Sequence, residues 1–385
     1  MGLNFEFATA SKIVFGCNKA LMIPRLLNKI EENILLVTGK DTGRHSFLVK
    51  ALQNENFNVT VFAIHSEPDT KVISEGAKLA REKKCTAVIG IGGGSALDGA
   101  KAIAAYAPNR GKLVDYLEVI GNGKIFENSP LPFIAVPTTA GTGAEVTKNS
   151  VILSPEHKVK VSLRSDLMFP RVAVIDPELT LSMTPEITAA TGMDALAHLL
   201  EAYVSNQSNP FTDSICREGM RRISASLEKA YVDGSNLQAR EDMAYAALLG
   251  GMALANVKLG AVHGFAGPLG GMHSIRHGLI CAALLPAVIS INLRAVREQN
   301  SRGYIEKYNE VGRLLTGTPE ATAPDAIEWV ERIVNTMCIP RFSSLGLPPA
   351  RFQELVNKAK DASSMKGNPV QLSDEDLYEI LEIAG

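Results

Sequence analysis

At 385 residues the chain exceeds what one hydrophobic core usually holds, so two domains are expected. Hydrophobic residues make up 46% and charged residues 21%, the balance of a soluble globular protein. With a net charge of −2 and no basic block, nucleic-acid binding is excluded as a main function, and an anionic ligand would have to be held locally.

The N-terminal stretch MGLNFEFATASKIVFG has no charged region followed by an apolar one, which argues against a secretory signal. Short apolar, β-branched runs then recur at residues 34–39 (ILLVTG), 59–64 (VTVFAI), 87–94 (AVIGIGGG), 133–139 (FIAVPTT) and 171–176 (RVAVID). Strands buried on both faces of a parallel sheet have this near-continuous apolar character. Helical segments such as residues 70–84 (TKVISEGAKLAREKK) separate them, so a doubly wound, mostly parallel α/β fold is expected.

Two loops in this half carry chemistry. After the third run comes Gly92-Gly93-Gly94-Ser95 and then a helix. Glycines admit a phosphate close to the backbone, and the helix start offers free N–H groups and the positive end of its dipole. Asp98 is expected in the first helical turn, oriented toward the dipole or a cofactor hydroxyl. A strand-to-helix turn without ligand is the plainer alternative for GGGS alone. The spacing differs from GxGxxG, and an earlier strand end, VTGKDTGR (37–44), is a candidate for an adenosine ribose. The second loop, residues 137–152 (PTTAGTGAEVTKNSVI), sets Thr138, Thr139 and Thr142 beside glycines at the expected carboxyl edge of the sheet.

Beyond Asp176 the composition turns helical. Thr184-Pro185-Glu186 reads as a helix start, and a boundary near residue 180 separates an α/β region, 1–180, from an all-α region, 181–385. The most apolar run, GLICAALLPAVISI (278–291), is too short to span a bilayer and holds Pro286, so it reads as a buried helix and no membrane partner is expected. Cys17, Cys85, Cys216, Cys281 and Cys338 form no CxxC pair, the pattern of reduced thiols in a cytoplasmic protein.

Three of the seven histidines lie in HGFAGPLGGMHSIRHG (263–278). Asp194 and His198 stand at i and i+4 of the helix starting at Thr184, on one face. Alone, such a pair is more often an exposed helix face. With His263 and His277 it makes a carboxylate–imidazole set suited to Fe(II) or Zn(II) and unsuited to Mg(II) or Ca(II). His45, His65 and His157 sit in polar contexts and read as surface residues.

Together, IVFG, GGGSALDGAKA, PTTAGTGAEVT, AATGMDALAHLLEAYVS, HGFAGPLGG…HG and GNPVQLSDEDL resemble the iron-containing (group III) alcohol dehydrogenase family over nearly the full length. The resemblance implies a dehydroquinate synthase-like architecture: an N-terminal NAD(P)-binding domain (1–180) and a helical metal-binding and catalytic domain (181–385). It implies reversible hydride transfer between an alcohol and NAD(P), so an alcohol dehydrogenase or aldehyde/ketone reductase, with the metal polarising the substrate oxygen. Carried over by motif, the metal ligands are Asp194, His198, His263 and His277, with Fe(II) expected first and Zn(II) second. The pyrophosphate loop is Gly92, Gly93, Gly94 and Ser95, followed by Asp98; Thr138, Thr139 and Thr142 contact the cofactor. Asn149 and Lys160 match residues at the nicotinamide–ribose end. A homodimer or larger homo-oligomer is implied.

Two departures matter. Many members carry a further histidine four residues after the third ligand; here it is Gly267, which widens the pocket, and His273 is left as an undecided accessory acid–base. NAD-preferring members often have an acid just after the first sheet strand; here Gly39 stands there, with Lys40, Asp41 and Arg44 following, so NADP is admitted beside NAD. A dehydroquinate-synthase-like lyase needs several cationic residues around an anionic substrate, and the segments around Asp194 and His263 offer few. A maleylacetate-reductase-type enzyme and a catalytically silent cofactor-binding protein are further alternatives.

Overall fold

The computed structural model describes residues 4–28, 31–272, 275–344 and 347–385. The chain divides into two compact units: Thr9–Thr139 with Gly143–Thr180, and Met1–Ala8 with Ala140–Thr142 and Leu181–Gly385.

The first unit is α/β. Its elements in order are β1 (Lys12–Phe15), α1 (Ile23–Leu26), β2 (Asn33–Thr38), α2 (Ser46–Asn54), β3 (Asn58–Ala63), α3 (Thr70–Glu82), β4 (Ala87–Gly92), α4 (Gly94–Tyr106), β5 (Phe133–Pro137), β6 (Asn149–Ser154), β7 (Val159–Arg164) and β8 (Val172–Ile175). Six strands form one sheet in the order β1-β8-β5-β4-β2-β3, every pair parallel. The five expected strands are all present, as β2, β3, β4, β5 and β8. Their unbroken apolar character has the predicted cause. Ile34 and Leu36 of β2 join the core on one face with Leu48 and Leu52, while Leu35 and Val37 join the core on the other with Ala100 and Ile103. α3 begins where the sequence indicated, with the Asp69 carboxylate accepting from the Val72 N–H at 2.8 Å.

From β2 the chain runs outward to β3, then crosses back to place β4 on the other side of β2. The order therefore reverses between β2 and β4, and the carboxyl ends of these strands flank the switch point where open α/β sheets bind ligands.

Part of the 137–152 segment, read above as a loop, is strand. β6 and β7 form an antiparallel hairpin outside the main sheet, and its alternating burial marks a half-covered ribbon. A buried lysine anchors it. Lys101 of α4 is 1% exposed and donates to the Ala144 carbonyl at 2.7 Å, Thr147 Oγ1 at 2.9 Å and the Asn149 carbonyl at 2.8 Å. Burial pulls its ammonium down to about 8, with Asp98 and Glu145 pulling the other way. Burial also lifts Asp98 to about 6 and Glu145 to about 7, with Lys101 opposing both shifts.

The second unit is helical: α5 (Pro185–Val204), α6 (Pro210–Val232), α7 (Leu237–Asn256), α8 (Ala261–Met272), α9 (His277–Glu298), α10 (Arg302–Thr316), α11 (Ala323–Thr336), α12 (Phe352–Asp361) and α13 (Asp374–Ala384). Thr184 caps α5 with Pro185 in its first turn, as the sequence indicated. α5 is buried almost throughout, packed by α6, α7 and α9. α9 has the length and apolarity of a membrane span, yet it lies largely buried among α5, α8, α11 and α13, as expected of a core helix.

Replacing Lys101 by Met would leave two carbonyls and a hydroxyl without their buried donor and two carboxyls without their cation. The expected loss is about 3 kcal/mol of stability, read by urea unfolding. An unchanged midpoint would show that the hairpin does not depend on this ammonium.

Candidate metal centre

α5 carries Asp194, His198 and Glu201 at i, i+4 and i+7, one continuous face of the helix. α8 brings His263 in its first turn, and α9 opens on His277. The approach of α9 to α5 depends on Gly278, where a Cβ would lie 2.0 Å from the Ala190 carbonyl oxygen. Any side chain there would push His277 away from Asp194.

The four residues expected to bind a metal converge on one carboxylate oxygen. Asp194 Oδ1 lies 3.6 Å from His263 Nε2, 3.7 Å from His277 Nε2 and 4.0 Å from His198 Nε2. The rings of His198 and His263 stack at 4.5 Å, and those of His263 and His277 stand 5.4 Å apart. These N–O separations are too long for good hydrogen bonds. They are close to the edge of about 3.4 Å expected of donors arranged tetrahedrally around an ion at roughly 2.1 Å. Asp194 Oδ1 is buried and has no hydrogen-bond partner. An orphaned anionic oxygen facing three imidazoles is a donor set that fits a divalent cation.

The protonation states of Asp194 and His198 suit that use, while His263 and His277 would release protons on binding an ion. Burial opposes ionisation of Asp194, but the surrounding imidazoles outweigh it and hold the carboxyl well below its usual range. Burial pushes His198 down to about 4 against the pull of Asp194, leaving it a neutral donor. For His263 and His277 burial acts downward, but Cys281 and Asp194 act upward and raise both.

Sequence reasoning missed Glu201. Its Oε2 lies 2.7 Å from His263 Nδ1, so the ring donates there and turns Nε2 toward Asp194. Glu201 also accepts the Val262 N–H at 2.7 Å and the His263 N–H at 3.3 Å, while Asn368 Oδ1 accepts the Ala261 N–H at 3.2 Å. These bonds satisfy free donors at the start of α8. The i+7 spacing was its only sequence signal. Asn368 belongs to GNPVQL, part of the family pattern to which no role had been attached. Cys281, one turn into α9, also enters the cluster, with Sγ 3.8 Å from His263 Nε2.

In the α/β unit, Gly92 ends β4 at φ +152°, and a Cβ there would lie 2.7 Å from that of Ala96 and 3.5 Å from the Gly39 nitrogen. Gly93 precedes α4 as its N-cap, Gly94 opens it and Ser95 is exposed. The Thr138 N–H donates to the Gly92 carbonyl at 2.9 Å, and Thr139 stands against Gly93. Gly39, Gly92–Ser95, Thr138 and Thr139 thus share the switch-point edge. Lys40 and Asp41 are exposed, and Asp41 Oδ1 accepts the Arg44 N–H at 3.4 Å.

The other expected residues are placed differently. Asp98 lies beyond the first turn of α4, where its Oδ2 accepts the Val151 N–H at 3.1 Å and its carbonyl accepts from Ser150 Oγ at 2.8 Å. That carboxylate ties α4 to β6, contrary to the first-turn placement. Asn149 pairs with Arg164 and Lys160 with Leu153, so the hairpin separates Asn149 from Lys160 along its length. Lys160 Nζ is held by Glu67 at 2.6 Å. Thr142 falls in the helical unit. His65 and His157 are exposed as expected, but His45 is buried at 5% exposure, because the short helical turn carrying it leads into α2. His273 lies outside the described residues.

Residues 10–177 match the family described as iron-containing alcohol dehydrogenase, and residues 188–385 match the Fe-containing alcohol dehydrogenase family, C-terminal. Alcohol dehydrogenase 4 of Saccharomyces cerevisiae is 36% identical over 362 residues, covering 93% of this chain and 92% of that protein. The NAD-dependent methanol dehydrogenase of Bacillus methanolicus is 32% identical over 387 residues, 99% of each. A crystal structure of 1,3-propanediol oxidoreductase superposes with a TM-score of 0.92 at 32% identity, covering 100% of both chains. The chain belongs to the iron-containing alcohol dehydrogenase family, metal-dependent, nicotinamide-linked oxidoreductases acting on CH–OH donors.

Proposed function

We propose that Asp194, His198, His263 and His277 hold the catalytic ion, Fe(II) or Zn(II), and that the chain interconverts a small alcohol and its aldehyde or ketone. The orphaned Asp194 Oδ1 among three imidazole nitrogens is the observation that carries this reading. An ion held there would supply Lewis acidity, polarising the carbon–oxygen bond of the substrate while its carbon exchanges a hydride with nicotinamide. Asp194 contributes the negative charge, His198 a neutral donor, and Glu201 fixes the ring of His263.

Dinucleotide binding falls to the switch-point edge. The N–H groups opening α4 face the pyrophosphate at Gly92–Ser95, and Thr138 and Thr139 add hydroxyls. Asn149 extends that contact set, Lys160 joins it by exchanging Glu67 for the cofactor, and Thr142 is kept as a cofactor residue on the family pattern alone. Lys40 and Asp41 lie at the adenosine end. With Gly39 in place of an acid, NADP is accepted beside NAD. Asp98 and Lys101 act through the hairpin they hold.

Gly267 follows His263 by one helical turn, is exposed, and has nothing within 4 Å of where a Cβ would stand. That space admits alcohols bulkier than a histidine there would allow. His273 remains the candidate proton acceptor. The reduced cysteines support a cytoplasmic home, and the place of β1 at the edge of the sheet supports assembly of two or more copies, which light scattering would count.

Three results are expected. Asp194→Ala abolishes both metal retention and turnover, whereas Glu201→Gln keeps the ion with affinity weakened about 10- to 100-fold. Elemental analysis after dialysis reads both, and full metal in Asp194→Ala would refute the ligand assignment. Gly39 has nothing within 4 Å of its Cβ position, so an acid fits; Gly39→Asp raises KM for NADP about tenfold or more while sparing NAD. Equal effects on the two cofactors would move the 2′-phosphate site elsewhere. Gly267→His lowers kcat/KM for branched alcohols about tenfold relative to ethanol, and a uniform change across a substrate panel would remove Gly267 from the pocket.

A further inference from the structure

Cys281 stands four residues after His277 on α9, so both side chains leave the same helix face. It is fully buried, and its Sγ is 3.8 Å from the nitrogen of His263 that faces Asp194. One donor atom each from Asp194, His263, His277 and Cys281 lie within 4.8 Å of one another. The unpartnered Asp194 Oδ1 belongs to this same cluster. A buried cysteine is ordinarily a small hydrophobe, and Cys216 on α6 is that case: among the described residues it joins no cluster of three potential ligands.

We propose that Cys281 is a further, soft donor to the ion of this centre, biasing it toward Zn(II) over Fe(II). The proposal rests on the ligand reading above and adds a sulfur to it. Asp194 is the one anionic group among the expected ligands, and Glu201 acts on the ion only through the ring of His263. A coordinating thiol releases its proton to solvent and binds as thiolate. Thiolate also shifts selectivity among divalent ions toward zinc, where an all-imidazole and carboxylate set serves both metals.

The test is metal-free protein loaded with Co(II). Wild type is expected to take up one cobalt per chain and show a near-ultraviolet sulfur-to-cobalt charge-transfer band. Cys281→Ser is expected to keep the cobalt and lose the band. In competition between zinc and ferrous iron under anaerobic conditions, wild type should retain zinc about tenfold more selectively than Cys281→Ser. Stoichiometric cobalt without the band in wild type would overturn the role of Cys281 and leave the other ligands standing. So would a band that survives in Cys281→Ser. Failure of wild type to bind cobalt would overturn the ligand set and this inference together. The wild-type spectrum decides the matter even if the variant folds poorly.

Discussion

Asp194 sets a carboxylate oxygen inside a closely packed helical unit and gives it no hydrogen bond, and the surroundings follow from the cost of doing so. An uncompensated buried charge costs several kcal/mol. Imidazoles at 3.6–4.0 Å lower that cost only in part, since His198 stays neutral. A dication offsets it fully, so stability of this region and affinity for metal are one quantity seen from two sides. Gly278 contributes by letting α9 approach α5, and Glu201 by fixing His263 while capping the helix that carries it. Asn368, far along the chain, closes the same helix end and bonds Asn292 of α9, linking α8 and α9 through one amide.

The α/β unit poses a different problem, how backbone can be left open to close approach at a strand end. Gly92 leaves β4 at a φ that disfavours a side chain and at a distance from Ala96 that excludes one. The switch between β2 and β4 brings Gly39 beside it, so two strand ends without side chains meet at one edge. Asp98 faces β6, and Asp41 accepts a backbone N–H of its own turn.

Much of this was legible because it is periodic or local. Five strands read as apolar runs since both faces of the sheet are covered, and α5 announced itself through Thr184 and Pro185. Asp194 and His198 share a face by spacing alone. The rest depends on tertiary contact. Glu201 reads as an ordinary helix acid until α8 is packed on it, and Asp98 as a dipole partner until β6 arrives. The β6–β7 hairpin was hidden because its first strand follows a glycine- and threonine-rich loop, and its anchor, Lys101, reads as a solvated helix lysine. His45 reads as polar surface, and only the turn into α2 buries it.

The donors of the metal centre are also graded in exposure. The side chain of Asp194 is 3% exposed and that of His277 is 44% exposed, with Gly267 exposed on α8. Within this unit the cluster is buried at Asp194 on α5 and most exposed at His277, where α9 begins. Glu201 supports His263 through its far nitrogen, and the one sulfur of the cluster lies a helical turn beyond His277. Asp194, His198 and His263 are buried, and His277 is the exposed member of the set. On the proposed ligand reading, an ion held this way would expand its shell at the exposed end, leaving the buried packing of α5 in place.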